Sequence, residues 1–137
     1  MAGIKTTPAD QAFSLCVRAR AGWRCEVCNT QYQKGAQGLH CSHFHGRGNW
    51  GVRLDPDNAS AHCFGCHQKM GANPHEHTDW TRNKLGEFRY QALIERKNDI
   101  SLGKLYRKTK GKGEIAKHYR DQLKLLEDGA ADFDAWL

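Results

Sequence analysis

Cys25-Glu26-Val27-Cys28, answered further along by Cys63-Phe64-Gly65-Cys66-His67, is the part of the sequence on which the fold turns. Two residues between cysteines let both thiolates of a knuckle face one point, and two knuckles complete the tetrahedral set of soft ligands that structural zinc prefers. Four thiolates leave no position for water or substrate, so such a zinc contributes folding free energy and performs no chemistry. Cys16 and Cys41 stand outside the pairs. Met1 to Asp10 carries no apolar run and no later stretch approaches the length of a membrane span. A cytoplasmic protein is therefore expected, where thiols stay reduced and serve metals rather than disulfides.

Outward from the knuckles, helical spacing dominates. A chain of 137 residues has room for one modest core. Ala12, Phe13, Leu15, Cys16 and Ala19 predict a helix from about Asp10 to Arg20, ended by Gly22. From Trp23 to Asp57 no helical period persists, which predicts short strands and a long loop containing Gly46-Arg47-Gly48-Asn49-Trp50-Gly51. A helix is expected over about Cys63 to Met70. Another follows Asn73-Pro74, a cap and a proline at the first helical position, and runs to about Leu85. Gly86 breaks it, Phe88 to Lys97 resumes the period, and Lys104 to Lys112 reads as a basic linker. A final helix from near Gly113 carries Ile115, Tyr119, Leu123 and Leu126 as an apolar stripe that needs a partner surface. The expected fold class is α+β, with residues 1–100 a zinc-stapled domain and 101–137 a linker and amphipathic helix. Trp23, Trp50 and Trp80 read as packing residues, with only Trp50 in a loop.

Lys and Arg outnumber Asp and Glu by 21 to 15, a formal charge of +6, and the pI is near 9.1. That balance favours a polyanionic partner. Between and just after the knuckles, His43, Asn58 and His67 stand at intervals resembling a His-Asn-His signature, with Leu39-His40-Cys41-Ser42-His43 as a strand. The segment from about Phe13 to Leu85 resembles the HNH, or ββα-metal, nucleases. Within them it is similar to the phage endonuclease VII group, and closer to the NinG/Rap family of phage recombination proteins. Cys-Ser-His-Phe, Asp-Pro-Asp-Asn, Cys-Phe-Gly-Cys-His and Gly-Ala-Asn-Pro carry the likeness; beyond Lys97 it ends. The resemblance implies a small ββα-metal module, phage or prophage origin, and cleavage of branched DNA such as a four-way junction or a flap.

Hydrolysing a phosphodiester needs a deprotonated water, a cation on the scissile phosphate and leaving oxygen, and in-line geometry. An imidazole accepts a proton near neutral pH, so His43 suits the general base if Asn58 or a backbone carbonyl holds its other nitrogen. His67, in the first turn of its helix, is the expected cation ligand. The family commonly places an Asp or His immediately before the base, where this chain has Ser42. Positions two apart in a strand share a face, so His40 is favoured as the second ligand, with Cys41, His45 and His62 as rivals. The cation is expected to be magnesium or manganese, although two imidazoles also suit other transition metals. Arg47, Arg53 and Lys69 are candidate contacts to phosphates beside the cut, and Lys104, Arg107, Lys108 and Lys110 to DNA in general. Three functions compete: a structure-selective nuclease, an HNH nuclease for nicking, restriction or packaging, and a non-catalytic zinc module that binds DNA. For the helix from about Gly113 to Asp128 two readings stand: a homodimer contact, because symmetric cutting of a junction needs two sites, and fold-back onto its own domain to fill out a small core.

Overall fold

The computed structural model describes residues 5–109 and 113–137. The described residues form a mixed helix and strand fold: α1 (Pro8–Arg20), β1 (Leu39–His43), a short 3-10 turn (Pro56–Asn58), β2 (Ala59–Cys63), α2 (Phe64–Ala72), α3 (Pro74–Leu85), α4 (Glu87–Asn98), α5 (Ile100–Thr109) and α6 (Glu114–Glu127). Helix α1 starts at a reciprocal cap: Thr7 Oγ1 accepts from the Asp10 amide, the Asp10 carboxylate accepts from the Thr7 amide, and Pro8 takes the first helical position. The predicted helix over 10–20 is therefore present, extended by its cap.

β1 and β2 pair antiparallel, with Leu39 opposite Cys63, His40 opposite His62, Cys41 opposite Ala61, Ser42 opposite Ser60 and His43 opposite Ala59. Side chains alternate across the pleat, so Leu39, Cys41 and His43 share one face, and His40 and Ser42 the other. Helix α2 follows β2 without a linker. Cys63 is its N-cap, with its Sγ accepting from the Cys66 amide at 3.4 Å, so the second knuckle is itself the strand-to-helix junction. Strand β2 escapes the sequence reading because Ala59-Ser60-Ala61-His62-Cys63 is short and carries neither β-branched nor aromatic residues, although its polarity alternates. Its burial is nearly continuous.

The first knuckle is fastened to the hairpin through the backbone and side chain of Glu26. The Glu26 amide donates to the Ala61 carbonyl at 2.8 Å and Glu26 Oε2 accepts from the Ala61 amide at 2.6 Å. Lys84 from α3 then joins Glu26 at 2.9 Å and Ser60 Oγ at 2.6 Å, which ties α3 to the same corner.

The main core lies between α1 and α6. Phe13, Cys16 and Val17 of α1 pack with Ile115, Ala116, Tyr119 and Leu126, all buried, and Phe133 closes the end. Tyr119 donates its hydroxyl to the Leu54 carbonyl at 2.5 Å, and the Cys16 thiol donates to the Tyr119 carbonyl at 3.1 Å. The apolar stripe on α6 therefore finds its partner surface within the chain, and the contact expected to join two copies is occupied. Residues on both sides of position 100 share this core. Burying each of these large side chains contributes roughly 1.5–3 kcal/mol, enough to favour fold-back over an exposed stripe. The expected basic linker is helical over Ile100–Thr109, while Lys110 to Lys112 lie outside the described residues. No described helix is long and apolar enough to cross a membrane.

Candidate functional site

The Sγ atoms of Cys25, Cys28, Cys63 and Cys66 all lie within 4.8 Å of one another. Buried Leu39 and Ala61 back the cluster, and Trp23, Val27 and Tyr32 pack around it. Burial and the neighbouring thiols push the Cys66 thiol up to about 12, whereas hydrogen bonds from Thr30 pull the exposed Cys28 down to about 6. Four sulfurs this close cannot all ionise without a cation between them, and a divalent ion removes that repulsion. The donor set fits a structural metal such as zinc.

One strand away, β1 and α2 bring two imidazoles together: His40 Nδ1 is 3.0 Å from His67 Nδ1. His67 is placed there by the knuckle, because it directly follows Cys66 in the first turn of α2. Burial lowers its pKa and the neighbouring His40 lowers it further.

His43 lies on the opposite face of β1, its ring 6.0 Å from that of Phe13. Its Nε2 is 3.0 Å from the Arg53 carbonyl. A carbonyl only accepts, so Nε2 carries the proton and Nδ1 keeps its lone pair. Burial pulls the His43 pKa down to about 4, outweighing the opposing effect of that hydrogen bond. Asn58, fully buried, does not touch His43. Its Oδ1 accepts from the His45 amide at 2.8 Å, and its Nδ2 donates to the His45 and Val52 carbonyls at 2.9 and 3.0 Å. It thereby closes the loop that delivers the Arg53 carbonyl to His43.

His40, His43 and His67 line one cleft of about 720 Å³, bounded by α1, β1 and the start of α2, with Arg18 and Arg47 among its walls. Arg18 is a residue the sequence reading missed. On α1 it looks like any basic helix-end residue, and only the packing of α1 over β1 puts it here. Its Nε donates to the Ser14 carbonyl at 3.2 Å, and its guanidinium lies 5.0 Å from the Trp23 ring centroid.

Arg53 is corrected outright. It is 2 % exposed, paired with Asp10 through Nη2 at 2.6 Å and Nε at 2.9 Å, and covered by the Trp50 ring at 4.1 Å. It has no surface to offer a phosphate; it locks the loop to α1. Burial raises the Asp10 pKa, but donors from Arg53 and Thr7 outweigh this and hold the carboxyl below the usual range. Lys69 is exposed on α2 and paired with Glu76 at 3.0 Å. Lys104, Arg107 and Lys108 are exposed on α5, and Lys110 lies outside the described residues.

Of the rival ligands, Cys41 packs against the α1 core, and burial pushes its thiol up to about 12. His62 is fully buried, 4.9 Å from the Trp80 ring, with no hydrogen-bond partner on either nitrogen; His45 Nε2 and Ser42 Oγ are likewise buried and unpartnered. Burial lowers His62 to about 3 and His45 to about 4. Neither joins the His40–His67 pair. Trp50 covers Arg53 and Trp80 packs on His62, in the packing roles expected of them.

No known protein family, characterised protein or solved structure matches this chain significantly. The geometry of the site is what bears on function.

Proposed function

We propose that this protein is a metal-dependent DNA endonuclease of the HNH type, a ββα-metal module acting on branched or recombination DNA. One observation carries the reading: an oriented, neutral His43 and the His40–His67 pair face the same cleft from the two faces of one strand. The cysteine cluster at the root of α2 explains how so small a chain holds them still.

His40 and His67 fit a cation. Two nitrogens about 2.1 Å from one ion and about 90° apart are separated by about 3.0 Å, the spacing found here. A divalent cation there, magnesium or manganese, would neutralise charge on the scissile phosphate and the leaving oxygen. The other parts belong to the chain. His43 Nδ1 takes the proton from the attacking water, and the Arg53 carbonyl fixes the ring so that no reorientation is needed in the transition state. Asn58 positions that carbonyl. Arg47, at the cleft wall, holds a phosphate flanking the cut, and Lys69, Lys104, Arg107, Lys108 and Lys110 supply DNA affinity that salt weakens. Phage origin and action on recombination intermediates are carried by the motifs between Phe13 and Leu85.

The test is cleavage of supercoiled plasmid, linear duplex, flap, single strand and four-way junction with added magnesium or manganese. Cation-dependent nicking is expected, with the branched substrates cut fastest. His43→Ala should lower the rate by about 100-fold or more while DNA binding and zinc content stay near normal. DNA binding by a parent protein that cuts nothing would favour the non-catalytic zinc module instead.

A further inference from the structure

Phe64 is the first residue of α2 and lies inside the second knuckle, yet it is 57 % exposed. A lone exposed apolar side chain is ordinary. This one has an unusual neighbourhood. Its ring meets that of His40 edge to face, with centroids 5.9 Å apart, and His40 in turn is 3.0 Å from His67 through their Nδ1 atoms. His40, which the Phe64 ring touches, lines a cleft whose walls also carry Arg18 and Arg47, and the chain as a whole has a charge of +6. An aromatic face next to a cationic cleft is the combination by which proteins hold single-stranded nucleic acid, the cations tracking phosphates while the ring stacks on a base.

We infer that Phe64 stacks on an unpaired nucleobase of the DNA strand whose phosphate enters the cleft, and so selects strands with a base out of the helix. In a paired duplex every base face is already covered by its neighbours, and Phe64 gains nothing from it. At a flap, a junction centre or a single strand, one base face is free. The inference rests on the nuclease reading for the phosphate in the cleft, but stacking itself is measurable without cleavage.

The full-length, zinc-loaded protein is titrated, without added magnesium or manganese, into two oligonucleotides carrying 2-aminopurine, one with the probe in an unpaired position and one with it in a duplex. Quenching of the unpaired probe is expected, together with a preference for that DNA over duplex of about tenfold. Phe64→Ala and Phe64→Leu should both lose the quenching and most of the preference, and Phe64→Tyr should keep them, with zinc content and melting temperature reporting that each variant folds. The same variants are then assayed for cleavage, where the ratio of unpaired to paired substrate should fall by the same factor. Unchanged quenching and preference in Phe64→Ala and Phe64→Leu overturn the stacking role while leaving the nuclease reading intact. So does a parent protein that never quenches the probe. Quenching that depends on Phe64 in a protein that cuts no DNA leaves stacking standing and removes the nuclease reading.

Discussion

His43 is held neutral by burial, and its proton bookkeeping can be followed with pH. Its pKa is about 4, as is that of His45, whereas an imidazole in the unfolded chain titrates near 6.5. Above about pH 6.5 both states hold the neutral form and these groups add nothing to the pH dependence. As pH falls from about 6.5 towards 4, the unfolded chain takes protons that the folded one refuses, so stability drains away through that window. The melting temperature should fall steadily over it, and His45→Gln should reduce the slope. A flat melting temperature from pH 7 to 4.5 would mean that these rings are not buried as described. Asn58→Ala removes three hydrogen bonds to the loop backbone and leaves those groups buried and unpaired. It should cost about 2–4 kcal/mol in urea unfolding and lower cleavage as well, because the Arg53 carbonyl loses its placement. Asn58→Asp, which turns the donor into an acceptor facing the His45 and Val52 carbonyls inside the fold, should destabilise at least as much as Asn58→Ala.

Among the elements, the knuckle-to-helix junction does the most, because Cys63 ends β2, caps α2 and belongs to the sulfur cluster at once. Cys66→Ser should therefore lower bound zinc, solubility and melting temperature together with activity, since metal binding and folding are coupled. An inactive variant as stable as the parent, with zinc retained, would contradict the structural role. The loop before the 3-10 turn is equally constrained. A Cβ added at Gly51 would lie 2.7 Å from the Arg96 carbonyl oxygen, and backbone there cannot yield as a flexible side chain would. Gly51→Ala should destabilise by about 1–3 kcal/mol by forcing the loop away from α4. The observable is a lower urea midpoint with an unchanged slope.

For the whole molecule, the decisive packing is α6 on α1. Deleting residues after Lys112 removes Ile115, Tyr119, Leu126 and Phe133 from the core and uncovers the apolar face of α1. A truncated chain should be insoluble or aggregate, rather than behave as a smaller version of the parent. Sedimentation and solubility of the two forms check this. A well-folded, active chain ending near Lys112 would show that α6 is dispensable and return the stripe to service as a contact between copies.

What the sequence by itself determined was local. The doubled Cys-x-x-Cys spacing specifies the sulfur cluster, because two residues between thiolates suit one knuckle whatever surrounds it. Asn73-Pro74, Gly86 and the stripe on α6 mark helices for equally local reasons. His40, His43 and His67 were legible as chemistry, but not which faces which. Tertiary structure decided that β2 is a strand, that α6 folds back onto α1, that Arg53 pairs with Asp10 inside, that Arg18 lines the cleft and that Phe64 meets His40. None of these follows from spacing. An arginine's charge reads the same whether it meets solvent or a buried carboxylate, and an apolar stripe reads the same whether its partner is another chain or its own first helix. Only the competition for one small core, settled by which surfaces meet when the chain closes, separates those outcomes.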